Sequence, residues 1–291
     1  MAIQMIFAYN FSCMKKMLCA ILSLGMLAAW CQAAEPVKPA KEVKLDPKWK
    51  LIWNDEFDYT GLPDTNKWTY EVGYVRNKEL QYYTEARLKN ARVESGCLVI
   101  ETHKESYEGM DYTSASVMSK GKAAWGYGRV EILAKLPGGR GIWPALWMLN
   151  TKGGWPKGGE IDIMELVGHE PNNVYCTVHT YDTYVNHKKE GQSDHISLDT
   201  PQNGFHLYAV ERYPDRMDFY VDDVKVLSYP KKENTIESWP FDGKFFLIMN
   251  IAYGGAWGGA KGVDPSALPQ QMVIDYVRVY EEKKEAEPAA K

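Results

Sequence analysis

The chain has 291 residues, enough for one large or two small domains, and its 45% hydrophobic content suffices for a sizeable core. Charged residues make up 25% with a formal net charge of −4, so the sequence carries neither a nucleic-acid nor an anionic-membrane footprint. Aromatic residues are abundant at 13%, with 10 Trp and 19 Tyr.

The chain opens with export features. Met14, Lys15 and Lys16 form a positive segment before an apolar run over 17–30 that is short for a membrane span. Residues 1–33 are therefore expected to be a signal peptide, with Met14 as the true start and the prefix 1–13 as a product of start-codon choice. Cleavage is expected after Ala33. The rival is a lipoprotein acylated at Cys31, against which Trp30 stands where a small residue is wanted. On either reading the protein is exported, to the periplasm, the cell surface or the medium.

Residues 34–47 are rich in Pro, Lys and Glu and read as a flexible linker, and 282–291 as a disordered tail. Between them, 48–281 reads as one domain. Cys13, Cys19 and Cys31 fall in the leader, which leaves Cys97 and Cys176 as expected buried free thiols. Strands are expected over 49–57, 91–104, 115–120, 126–136, 142–149, 158–165, 173–181, 205–213, 216–221, 225–229, 244–253 and 271–281. In 126–136, Val130, Ile132 and Ala134 alternate with Arg129, Glu131 and Lys135, the period of a half-buried strand. Residues 76–85 and 182–201 read as loops, and Asp222-Asp223 as a hairpin turn. No repeat or long amphipathic helix is visible. Many short strands with Gly-rich turns make the fold all-β, an antiparallel sandwich or barrel.

One stretch carries the chemistry. Glu160, Asp162 and Glu165 lie within six residues, interleaved with Ile161, Ile163 and Met164. On a strand Glu160 and Asp162 share one face, and strict alternation turns Glu165 away. A β-bulge around Ile163–Met164 returns it. Unpaired carboxylates on one face repel, and at least one pKa rises. Retaining glycoside hydrolysis wants this arrangement: one carboxylate attacks the anomeric carbon while a protonated one donates to the leaving oxygen. The plain alternative is a solvated acidic strand edge paired to lysines.

The segment GEIDIMELVG resembles the signature of glycoside hydrolase family 16, in particular its bacterial laminarinase-like endo-β-1,3-glucanases. The blocks LIWNDEFDYTGLPDTNKWTYEVG, NKELQYYTEARLKNARVESGCLVIET, GYGRVEILAKLPGGRGIWPALWML, VYCTVHTY, NIAYGGAWGGAKGVD and IDYVRVYE extend the resemblance over 49–281. It implies a β-jelly-roll sandwich of two curved antiparallel sheets, with an open substrate cleft across the concave one. It also implies Glu160 as nucleophile, Asp162 as assisting acid and Glu165 as acid/base, acting on β-glucan without a cofactor. The rivals are a mixed-linkage glucanase or galactan hydrolase of the same fold, or a glucan-binding protein that does not cut.

Trp143 and Trp147 share a strand face, and the resemblance puts them in the cleft, where indoles stack on sugar C–H faces. Arg140 precedes them on a turn and is expected to meet sugar hydroxyls or a cleft carboxylate. His179 is expected to bond Asp162 or the sugar. Trp257, flanked by glycines, is expected to form a ligand-facing wall, with Trp125 and Trp155 as weaker candidates. Asn77 matches a sugar-face Asn of the family. Lys78 follows where a second Asn is frequent, and Glu79 and Gln81 are the polar groups placed to compensate. Asp275 alternates with Val273, Val277 and Val279 on an apolar face, where a bare charge is unfavourable. The resemblance implies a structural calcium held by Glu56, the Gly96 carbonyl and Asp275. A monomer is expected.

Overall fold

The computed structural model describes residues 46–189 and 191–283, so the leader 1–33, most of the 34–47 linker and residues 284–291 lie outside the described residues. The described part falls within the compact unit Pro36–Lys291. Among the described residues no helix is long and apolar enough to cross a membrane.

In chain order the first strands are β1 (Trp49–Asp55), β2 (Thr69–Glu71), β3 (Gln81–Tyr83), β4 (Ala91–Glu94), β5 (Cys97–Tyr107), β6 (Met110–Ser114), β7 (Ser116–Met118), β8 (Gly128–Lys135) and β9 (Ile142–Asn150). They are followed by β10 (Glu160–Glu165), β11 (Asn173–His179), the one-turn helix α1 (Tyr181–Tyr184), β12 (Ser193–Ser197), β13 (His206–Arg212), β14 (Arg216–Val221), β15 (Val224–Pro230), β16 (Phe245–Tyr253) and β17 (Gln270–Glu282). They form two sheets. A ten-stranded sheet runs β15-β14-β13-β8-β17-β5-β6-β3, with β1 also on β17 and β4 on β5, and a seven-stranded sheet runs β12-β11-β10-β9-β16-β7-β2. The pairs are antiparallel apart from β3 with β6, which is parallel.

The core lies between the sheets. Val130, Ile132 and Ala134 of β8 enter it from one side, and Ile161, Ile163 and Met164 of β10 from the other. Two packed antiparallel sheets of this size make a β-jelly-roll sandwich. Cys97 and Cys176 are buried and free.

Four departures from the expected elements have local causes. The stretch 91–104 is two strands, because Ser95 and Gly96 both adopt positive φ (52° and 72°) and close a tight hairpin. The strand expected over 115–120 starts earlier, as β6 and β7, after a turn at Glu108–Gly109. Short β3 and β12 form inside segments that read as loops, and β12 is largely exposed, so little hydrophobic periodicity marks it. In β17 the register against β8 shifts between Ile274 and Tyr276. Val273 consequently packs outside with Cys97 and Val99, while Val277 and Val279 face the core. The expected common face for Asp275 with all three valines therefore does not exist.

The chain leaving β10 is pressed against β9. Leu166 N donates to Pro144 O and Gly168 N to Ile142 O at 2.8 Å, and a Cβ on Gly168 would lie 1.7 Å from Gly139 O. No side chain fits there. Gly168→Ala is expected to destabilise the fold by roughly 2 kcal/mol or more, since backbone must move to relieve the clash. A thermal melt beside wild type checks this; an unchanged midpoint would refute the close packing.

Candidate active site

The bulge falls within β10. Its register shifts between Asp162 and Glu165 against β11, and between Asp162 and Met164 against β9. Ile163 and Met164 are both fully buried, so two consecutive side chains enter the core and Glu165 emerges beside Glu160 and Asp162. The Cys176 thiol donates to the Ile163 carbonyl at 3.3 Å, giving that bulge carbonyl a partner.

The three carboxylates line a cavity of about 310 Å³ together with Arg76, Asn77, Glu79, Trp143, Trp147 and Asn250, among others. Each acid is flanked across the sheet. Leu149 and His179 pair with Glu160, Trp147 and Thr177 with Asp162, and Ala145 and Tyr175 with Glu165. His179 Nε2 stands 3.3 Å from Asp162 Oδ2, and its Nδ1 is 3.1 Å from Gln192 Nε2. The first distance is that of an ion pair but lacks hydrogen-bond alignment, and buried Asp162 Oδ2 has no hydrogen-bond partner among the described residues. The Trp143 indole donates to Glu165 Oε1 at 3.0 Å.

These surroundings sort the acids. Burial is the largest cause raising all three pKa values. The charge of Asp162 raises Glu160 and Glu165 further. Glu160 reaches about 8, restrained by the His179 charge and a hydrogen bond from Trp155. Glu165 lies well above its ordinary value, and the charges of both other acids push it there. Burial likewise lifts Asp162 to about 8, and three close carboxylates beside one imidazole titrate as one coupled set.

Trp143 and Trp147 both face the cavity from β9, but they are not stacked on each other. Trp143 meets Trp257 edge-on at 5.7 Å, whereas the Arg76 guanidinium covers the Trp147 ring at 4.9 Å. Asn77 lines the cavity. Trp257 is half-buried against Trp143 and Tyr175, whose rings supply the neighbours that its own glycines lack. Arg140 is exposed and not among the lining residues, and its charge acts on Asp264. Trp125 is 8% exposed in the core, whereas Trp155 is 49% exposed and lines the cavity.

At the expected calcium corner, both Glu56 oxygens accept from Arg278 at 2.9 Å. Asp275 is buried with the Cys97 thiol 3.9 Å away, next to Gly96 in the β4–β5 turn. The oxygen donors suit calcium, but a cation on Glu56 has to displace the guanidinium. Among the described residues, Glu160, Asp162 and His179 form a group whose ligand atoms lie within 4.8 Å of one another.

Arg76 belongs to the 76–85 loop without having been singled out in the sequence, and Asn250 is a site residue that sequence reasoning passed over. Asn250 did leave a signal, as the one polar side chain in FFLIMNIAY, a strand buried throughout.

A two-sheet β sandwich with three clustered carboxylates on one strand beside indoles is the architecture of a glycoside hydrolase. Residues 77–278 match Glycosyl hydrolases family 16. A beta-glucanase of Rhodothermus marinus is 52% identical over 248 residues, spanning 80% of this chain and 86% of the relative. The X-ray structure of the laminarinase from Rhodothermus marinus is similar with a TM-score of 0.78 at 50% identity, covering 81% of this chain and 98% of that one. The laminarinase from Flavobacterium sp. UMI-01 gives a TM-score of 0.73 at 41% identity, over 80% and 100% of the two chains. The chain belongs to glycosyl hydrolases family 16.

Asp162→Asn removes the like charge that raises Glu160 and Glu165. Ionisation of each then becomes less unfavourable, so both pKa values fall. Both limbs of the kcat/KM–pH profile are expected to move to lower pH, by roughly one pH unit. Limbs that stay in place would show that Asp162 does not set the charge of its neighbours.

Proposed function

We propose that this glycoside hydrolase is a retaining endo-β-1,3-glucanase that cleaves laminarin-like chains. The observation that carries it is the geometry of one bulged strand, which brings Glu160, Asp162 and Glu165 together on the cavity face with His179 beside Asp162. In the proposed reaction a Glu160 oxygen attacks the anomeric carbon as the bond to the leaving sugar oxygen breaks. The Glu165 proton passes to that oxygen. Water then attacks the glycosyl-enzyme, gives its proton to Glu165 and releases Glu160. A sugar hydroxyl in place of water yields transglycosylation. Asp162 assists by its charge, and His179, Trp143, Trp147, Asn77 and Trp257 are proposed to bind or border the sugar. Catalysis needs no cofactor in this scheme.

Supporting the substrate are the likeness to a beta-glucanase and to laminarinases, and an apolar indole-lined floor suited to sugar C–H faces. Export rests on the leader 1–33, by cleavage after Ala33 or acylation at Cys31, and a monomer completes the proposal.

Reducing-sugar release from laminarin, lichenan and agarose tests this reading. Wild type is expected to act on laminarin, and Glu160→Gln to lose roughly a thousandfold or more of the rate. Release from lichenan or agarose alone would move the substrate to another backbone. Binding of laminarin without release from any polymer would make the protein a lectin.

Calcium at Glu56, the Gly96 carbonyl and Asp275 is proposed as a stabiliser and not a catalyst. EDTA is then expected to lower the melting temperature of protein prepared in calcium. An unchanged value would overturn the calcium proposal.

A further inference from the structure

A second carboxylate system borders the same cavity without touching the three acids. Glu79 is 4% exposed and lines the cavity from the loop before β3. Its Oε2 accepts from Gln81 Nε2 at 2.7 Å and from Tyr83 OH at 3.2 Å, and its Oε1 accepts from Asn77 Nδ2 at 3.2 Å. Tyr83 OH accepts from Asn250 Nδ2 at 2.9 Å, and Asn250 Oδ1 accepts from Trp147 Nε1 at 2.7 Å. The four residues make one continuous relay, Trp147 to Asn250 to Tyr83 to Glu79.

The direction of that relay is forced from both ends. An ionised carboxylate only accepts and an indole only donates. Tyr83 must therefore give its proton to Glu79, which leaves its lone pairs for the Asn250 amide nitrogen. That choice points the Asn250 carbonyl at Trp147. Burial and the Glu79 charge push the Tyr83 phenol well above its ordinary value, so it stays a donor. Burial raises Glu79 too, while Gln81, Arg76, Asn77 and Tyr83 act against it.

The loop that carries Glu79 is pinned to the segment that follows β16. Leu80 N donates to Tyr253 O at 2.8 Å and Ala256 N to Asn77 O at 2.9 Å. Gly255 sits with positive φ, and a Cβ there would come within 3.0 Å of Glu79 Cγ. Backbone hydrogen bonds thus hold the 76–80 loop against the chain after β16, and the Glu79 carboxylate reaches the Trp147 indole through Tyr83 and Asn250.

We propose that Glu79 is a positioning residue for substrate binding: through Tyr83 and Asn250 it locks the tilt of Trp147, the cavity-lining indole paired with Asp162 across the sheet. The proposal rests on the reading of this cavity as a glycan site. Its contribution is to affinity and not to the chemical step, because the relay ends on an indole and never reaches the reacting carboxylates.

The test uses Tyr83→Phe, Glu79→Leu, Glu79→Gln and the Tyr83→Phe/Glu79→Leu double variant. KM and kcat are measured on whichever of laminarin, lichenan and agarose wild type cleaves best. Tyr83 is fully buried and does not line the cavity, so an effect on KM in Tyr83→Phe travels through the relay. Tyr83→Phe and Glu79→Leu are each expected to raise KM about tenfold with kcat changed less than about threefold. The double variant is expected to be no worse than either alone. Glu79→Gln, which keeps an acceptor oxygen, is expected to recover most of the affinity that Glu79→Leu loses. Should Glu79→Leu fail to fold, Tyr83→Phe and Glu79→Gln carry the comparison. A wild-type KM in folded Tyr83→Phe, effects that multiply in the double variant, or a fall in kcat alone would overturn the proposal. Cleavage of lichenan or agarose but not laminarin would sink the substrate reading while the relay is still decided on that polymer.

Discussion

Bringing Glu160, Asp162 and Glu165 onto one face of β10 takes one residue more than a regular strand supplies. The extra residue is accommodated on the core side, where Ile163 and Met164 are both fully buried between the sheets. The bulge is therefore held by hydrophobic packing beneath it and by the Cys176 thiol on its free carbonyl. A flat strand would send Glu165 into that core, where an unpaired carboxylate is strongly unfavourable. The same apolar packing that holds the strand thus aims the acid.

Concentrating charge in this way works against stability, and the neighbouring elements offset part of it. The Trp143 indole donates to Glu165, His179 approaches Asp162, and the Trp155 indole reaches Glu160. What remains is a set of carboxylates whose pKa values burial and like charge hold above the ordinary range, the condition under which acid/base chemistry becomes possible on one strand.

Around the acids the seven-stranded sheet presents an apolar surface on its cavity side as well. Met118, Ala145, Trp147, Phe246 and Ile248 form a cluster separate from the main core. Polar groups enter that surface only where something fixes them, as Asn250 is fixed between Trp147 and Tyr83. A sugar has apolar faces and a polar rim, and a floor of this kind meets both.

Strand identity was legible in the sequence wherever one face is buried, because period-two alternation follows from the pleat; β8, β9, β13 and β16 fall within two residues of expectation. The acidic triplet was legible too, since its spacing demands a bulge that the apolar residues between the acids can fill. Edge strands β3 and β12 were not, because backbone pairing holds them and their side chains carry no pattern. Asp275 was misplaced for a related reason, since a bulge in β17 breaks the alternation that its valines suggest. Contacts between distant segments lay beyond any local pattern: Arg278 on Glu56, the rings around Trp257, and the relay from Glu79 to Trp147 each join residues far apart in the chain. Periodicity sets which face a side chain takes. Only the packing of one sheet and its loops against the other decides which partner it meets there.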